Sequence, residues 1–135
     1  MQIMHKITET LFLGSIPSYQ DLERNKINVV ISLNMQQDYD LLQGMTLPWY
    51  FCHIRRPVRC EPHVDIRGPA ILTHRYIMQH LHFRILICCT HGQHRSAAVL
   101  LMHLMSIDDQ EACQRLLKIS DPYAVFGKWI GAPNR

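Results

Sequence analysis

The sequence predicts a single α/β domain with a central, mainly parallel, twisted sheet flanked by helices. Three observations carry this. Short apolar, β-branched runs alternate with helix-like segments along the chain. The run ILICC at residues 85–89 passes straight into a glycine-containing loop and then an alanine- and leucine-rich stretch, which reads as strand, loop, helix. The 135 residues, 47% apolar and 19% charged, suit one globular domain with its own core.

Residues 2–7 and 10–13 read as short strands closed by Gly14. Residues 18–25 follow Pro17 and read as a short helix, with Ser18 as N-cap and Asp21 three residues on. Residues 27–33 are almost wholly apolar, as in a strand buried on both faces. A short helix is expected over 36–43 with Gly44 at its end, then a strand over 49–54. Residues 55–62 hold two prolines and three arginines with no helical period and read as a loop. A helical period runs through 64–81, with Gly68 and Pro69 expected to disturb its first turn. Residues 84–89 form a buried strand, 97–105 an apolar helix and 109–118 an amphipathic one. The tail from 120 to 135 is expected to be irregular, with Phe126, Trp129 and Ile130 packing down.

Charge and composition narrow the function. The net charge is +3 with histidine neutral, too mild to imply nucleic-acid binding by itself but suited to an anionic substrate. The N-terminal MQIMHKITET has no apolar core of a secretory signal, and no apolar stretch approaches a membrane span. Five cysteines, an odd number, then read as reduced thiols in a cytoplasmic protein, with the nucleus also admissible. No membrane partner is expected.

The loop after residue 89 carries the chemistry. In an open parallel sheet, ligands bind at the carboxyl ends of strands. Backbone N–H groups of Thr90, His91, Gly92, Gln93, His94 and Arg95 can curl around an oxyanion at the start of the following helix. Gly92 permits the dihedral angles this needs. Arg95 offers a planar fork for two phosphate oxygens. The same positive field favours thiolate over thiol, which makes Cys89 a nucleophile, and the Ser96 hydroxyl can donate to that thiolate. Only Cys89 leaves the five intervening residues before Arg95 that close such a cradle. Cys88, one residue earlier on a strand, points to the other face and reads as structural.

Cys89, Gly92, Arg95 and Ser96 in this context resemble the His-Cys-x-x-Gly-x-x-Arg-Ser/Thr signature of the dual-specificity protein phosphatases. The likeness extends to residues 7–15, 27–34, 95–105 and 109–118, and so covers most of the chain in order. It implies a phosphatase-like fold and a metal-free, cofactor-free, two-step reaction on phosphorylated protein. Cys89 would attack phosphorus and form a cysteinyl-phosphate, which water would hydrolyse, with Arg95 and the loop amides holding the equatorial oxygens.

Two positions depart from the family. Its histidine before the nucleophile is Cys88 here, and no aspartate stands where its general acid is expected. Glu61 is the preferred replacement acid, and Asp65 the second, which also stands where it would cap the next helix. A missing acid favours good leaving groups, a phenolate or a pyrophosphate. The sequence Cys-Thr-His-Gly at 89–92 also resembles the loop of RNA 5′-triphosphatases of the same superfamily, so an RNA 5′ end is the alternative substrate. A weakly active or inactive phospho-binding protein is the third reading. Arg55 and Arg56 are candidates for substrate recognition, and Cys52 or Cys60 for a protective disulfide with Cys89. A zinc site from Cys88, Cys89, His91 and His94 lacks the usual spacing and a second ligand pair, and His74, His80, His82 and His103 read as surface or partly buried side chains.

Overall fold

The protein is described from a computed structural model that covers residues 4–34 and 52–131. The expected helix over 36–43 and the first part of the strand over 49–54 lie outside these residues.

The chain enters as a hairpin. Strand β1 (Met4–Lys6) pairs antiparallel with β2 (Leu11–Gly14). The turn is closed by Thr8, whose Oγ1 accepts from the Leu11 N–H at 3.0 Å. Helix α1 (Tyr19–Arg24) begins as the sequence predicts, with Ser18 Oγ accepting from the Asp21 N–H at 3.1 Å. Lys26, at φ 52°, reverses the chain into β3 (Val29–Ser32). Strand β4 (Cys52–Arg55) and helix α2 (Arg67–Gln79) follow. Pro69 is the third residue of α2, inside the first turn, where an N–H has no helical acceptor, so it does not disturb the helix. Strand β5 (Ile85–Cys88) leads into α3 (Arg95–Ser106), and α4 (Gln110–Ile119) is capped by Asp109, whose carboxylate accepts from the Ala112 N–H at 3.1 Å.

The tail corrects the sequence reading. Residues Tyr123–Ile130 form a further helix, α5, kinked at Phe126 and ended by Gly131 at φ 85°. Pro122 stands at its N-cap with φ −67°, already suited to helix entry. The three aromatic and aliphatic residues expected to pack down fall at i, i+3 and i+4, so one helical face carries Phe126 and Ile130 into the core. The short length and the lone glycine hid this period.

The strands form one sheet in the order β1-β2-β5-β3-β4, parallel throughout except for β1. β5 is central: Cys88 lies opposite Gly14 of β2 on one side and Ser32 of β3 on the other. Both faces are covered, which is why the strands read as continuous apolar runs. Alternate residues feed two cores. Phe12, Val30, Leu86 and Cys88 pack with Leu22 of α1 on one face. Leu13, Ile31, Ile87 and Cys89 pack with residues of α2 to α5 on the other, where Leu100 and Phe126 are fully buried. Among the described residues no helix is long and apolar enough to cross a membrane.

Leu100 is 0% exposed and Leu117 38%. Leu100→Ala is therefore expected to lower unfolding free energy by about 2–5 kcal/mol. Leu117→Ala is expected to change it by no more than about 0.5 kcal/mol, both read by urea denaturation.

Candidate active site

The parallel register sets the carboxyl ends of β2, β3, β4 and β5 along one edge of the sheet. The loop from Cys89 to His94 rises there. The Cys89 N–H continues the β2 pairing by donating to the Gly14 carbonyl at 3.2 Å. Gly92 then adopts φ +68°, and a Cβ on it would stand 2.7 Å from the Gly14 carbonyl carbon and 2.9 Å from the Ser15 nitrogen. Both the left-handed backbone and the close approach require glycine. The loop ends where α3 begins at Arg95 and Ser96.

Cys89 Sγ lies 3.2 Å from Ser96 Oγ, and both residues are buried. Burial by itself pushes a thiol toward the neutral form. Here it is outweighed by the Ser96 hydroxyl and N–H, the Arg95 charge and the Gly92 N–H, so Cys89 titrates below an ordinary thiol. Cys88 is the reverse case. It is buried on the opposite face, hydrogen-bonded to Ser32 and repelled by the neighbouring Cys89 charge, and burial above all pushes it up to about 12. Two adjacent cysteines thus have opposite chemistry because a strand alternates its side chains.

Arg95 is only 8% exposed, and its guanidinium is held from three sides. One terminal nitrogen donates to the carbonyls of Val58 at 3.0 Å and Leu33 at 3.4 Å, and the other to Thr90 Oγ1 at 3.1 Å. Its Nε is buried with no hydrogen-bond partner among the described residues. A buried donor left unmade is costly, so Arg95 keeps one donor uncommitted in the folded chain. Thr90 in turn donates its hydroxyl to Asn34 Oδ1 at 3.3 Å. Asn34, at 1% exposure, is a residue that sequence reasoning missed; among the described residues its Nδ2 too is buried without a partner. A polar residue ending an apolar strand at the ligand edge was the signal available.

Of the remaining candidates, His94 and Cys60 lie side by side at this cradle. His91 and Gln93 are exposed, and His94 Nδ1 lies 3.8 Å from Cys60 Sγ. The Cys60 thiol is raised, by burial first, and it senses the charges of both Arg95 and Cys89, which places it at the mouth of the site. Cys52 is different: it pairs with Val29, which pairs with Ile85 at the far end of β5. Four steps of extended chain separate Ile85 from Cys89, roughly 13 Å, beyond the reach of a disulfide. Arg55 ends β4 at the loop edge, and the Arg56 N–H donates to Ser32 O at 2.8 Å. Glu61 faces Arg59 at 3.8 Å and His63 at 3.7 Å. Asp65 is exposed and engaged by Arg67 through its N–H at 3.0 Å and its guanidinium at 2.9 and 2.7 Å, which holds the carboxyl down at about 2. It stands one residue before the N-cap of α2, Ile66, which makes no side-chain cap hydrogen bond, so the capping that the sequence suggests for Asp65 reduces to its one bond to the Arg67 N–H. Among the described residues no three His, Cys, Asp or Glu side chains converge on a metal.

The two cysteines give a direct test. Iodoacetamide should alkylate Cys89 at neutral pH and leave Cys88 unmodified. The Cys89 rate should rise with pH through a midpoint below that of an ordinary thiol, because only the thiolate reacts. Ser96→Ala should move that midpoint up, read by mass spectrometry of the modified peptide across pH.

No family model matches the sequence, and no curated protein matches it. Solved structures do. The Cydia pomonella PTP-2 phosphatase superposes with a TM-score of 0.81 at 18% identity, over 96% of this chain and 89% of that one. A mouse putative dual specificity phosphatase gives 0.76 at 23% identity, over 94% and 83%. The human tyrosine phosphatase-like serine/threonine/tyrosine-interacting protein gives 0.76 at 20% identity, over 94% and 92%. With a five-stranded, mainly parallel sheet and the loop between β5 and α3, the chain has the fold of the dual-specificity phosphatases.

Proposed function

We propose that the protein is a cysteine-dependent phosphatase that hydrolyses phosphomonoesters, with phosphorylated protein side chains as substrate. One observation carries this reading: a thiol titrating low, 3.2 Å from a serine hydroxyl, beneath a loop whose arginine is buried and fixed. A phosphate monoester seats its non-bridging oxygens on the loop N–H groups and the Arg95 fork. Cys89 Sγ then attacks phosphorus in line. The S–P bond forms as the P–O bond to the leaving group breaks. Water attacks the cysteinyl-phosphate, the S–P bond breaks, and the thiolate returns with the Ser96 hydroxyl to stabilise it. The donors are in place before charge develops, so little reorganisation is needed.

The leaving group discriminates between substrates. An alkoxide from serine needs a proton as it departs, whereas a phenolate from tyrosine needs less help. Asp65, held at about 2, is ionised at neutral pH and has no proton to give. Glu61 is the remaining candidate in the loop before α2 and is turned toward Arg59 and His63. Phosphotyrosine is therefore favoured over phosphoserine and phosphothreonine. The same shortage of a proton donor supports the second reading, a phosphoanhydride such as an RNA 5′-triphosphate, whose leaving group is a stable pyrophosphate.

The deciding experiment compares para-nitrophenyl phosphate, phosphotyrosine and phosphoserine peptides, and triphosphate-ended RNA, with Cys89→Ser as control. Turnover should appear for para-nitrophenyl phosphate and phosphotyrosine, be weaker for phosphoserine and vanish in Cys89→Ser. Arg95→Lys keeps the charge but loses the fork, and should lower kcat by about 10²–10³. Faster cleavage of the RNA end than of phosphotyrosine would favour the second reading. No turnover of para-nitrophenyl phosphate by the unmodified protein would leave a phospho-binding role in place of an enzyme. Arg55→Ala and Arg56→Ala are expected to raise KM more than they lower kcat, the mark of binding that does not grow in the transition state.

A further inference from the structure

The far end of α3 carries a second cluster. His74 of α2 and His103 of α3 face each other with Nδ1 atoms 2.9 Å apart and ring centroids 5.1 Å apart. The Ser106 hydroxyl lies 3.2 Å from His74 Nδ1 and donates to the His103 carbonyl at 2.6 Å. All three line a cleft of about 220 Å³ together with Ala70, Ile71 and Met102. The cluster is remote from the phosphate loop, since Ser106 ends the helix that Arg95 begins. Eleven helical steps separate them, about 16 Å.

Two features limit what this cluster can do. Serine, histidine and a second histidine invite comparison with a hydrolytic triad, but a triad uses both nitrogens of its central ring, one for the nucleophile and one for the orienting group. Here the hydroxyl and the second ring both meet the same nitrogen, His74 Nδ1. No proton relay passes through such a ring. Second, two facing Nδ1 atoms can share only one proton, so at least one presents a lone pair. A ring nitrogen that presents a lone pair is the group a metal takes.

We propose that His74 and His103 form a binding site for a divalent transition metal of the zinc class, with the Ser106 hydroxyl and water from the cleft completing its coordination. Zinc–imidazole bonds of about 2.0–2.1 Å at a tetrahedral angle hold their nitrogens about 3.3 Å apart. The observed separation needs to open by roughly 0.4 Å, which small ring rotations supply while the ring centres stay near their present distance. Binding displaces the shared Nδ1 proton, and the ring that gives it up takes a proton at its Nε2, so both rings stay neutral and both Nδ1 lone pairs face the metal. The cleft admits the water ligands, and two imidazoles suit zinc, nickel or cobalt over calcium or magnesium. The metal would staple α2 to α3 in place of the hydrogen bond.

The test uses the whole 135-residue chain treated with chelator, in a Cys60→Ser/Cys89→Ser background that removes the thiols at the Cys89 loop as competing ligands. Zinc chloride is titrated by calorimetry, with thermal unfolding followed in parallel. One equivalent should bind, Tm should rise with zinc concentration, and the ring NMR signals of His74 and His103 should shift together. His74→Gln, at a half-buried position, should weaken binding by at least about ten- to a hundredfold, the cost of losing even an outer-shell partner. Cobalt(II) should bind without a thiolate-to-metal charge-transfer band. Absence of stoichiometric binding, equal affinity in His74→Gln, unshifted His74 and His103 rings in the parent, or a thiolate band would each overturn the assignment. The NMR and cobalt readouts decide the matter without any substitution in α2.

Discussion

Strand β5 is hydrogen-bonded on both sides, to Leu11–Gly14 and to Val29–Ser32, and the site above it depends on that double pairing. A central strand cannot slip by one residue without exchanging its faces. The register therefore fixes Cys88 toward α1 and Cys89 toward α3. It also brings the Gly14 carbonyl against the loop, where it accepts from the Cys89 N–H and leaves no room for a side chain on Gly92. The position of the thiol, the shape of the loop and the start of α3 follow from one ladder of backbone bonds.

Within that frame the electrostatics are a contest between desolvation and donors. Burial opposes the Cys89 thiolate more strongly than any single neighbour favours it. The donors prevail together because they converge: a hydroxyl, two backbone N–H groups and a guanidinium. Arg95 can serve only because carbonyls from two other segments hold it and Thr90, steadied by Asn34, holds it from the third side. A buried arginine with fixed hydrogen bonds loses little further freedom when an anion arrives. The histidine that the resembling family carries before its nucleophile is replaced by a cysteine facing away, and the thiolate is supported without it.

The loop between β4 and α2 is tied to the C-terminal helix. Trp129 Nε1 donates to the Pro62 carbonyl at 3.0 Å, and the same ring lies 4.9 Å from the Arg67 guanidinium and 4.7 Å from Lys128 Nζ. Arg67 also engages Asp65. α5 thus anchors the segment that carries Glu61, Asp65 and, through Val58, a support for Arg95. α5 is in this way part of the architecture around the segment that supports Arg95.

The sequence by itself determined most of the elements and the strand–loop–helix unit that carries the candidate site. Apolar period, capping residues such as Ser18 and Asp109, and the order Cys89, Gly92, Arg95, Ser96 are local signals, and local signals are legible in one dimension. It even separated Cys88 from Cys89, because strand alternation is a local rule. It missed α5, whose period is short and interrupted by a glycine, and it missed Asn34, whose role appears only when β3 lies beside β5. It offered Cys52 and Cys60 alike as partners for Cys89; strand register puts Cys52 at the far end of the sheet and leaves Cys60 at the mouth of the site. The packing of α2 on α3 joined His74 to His103 across 29 positions of chain. Contacts between residues so far apart are set by the way whole elements pack, which neither residue type nor spacing records.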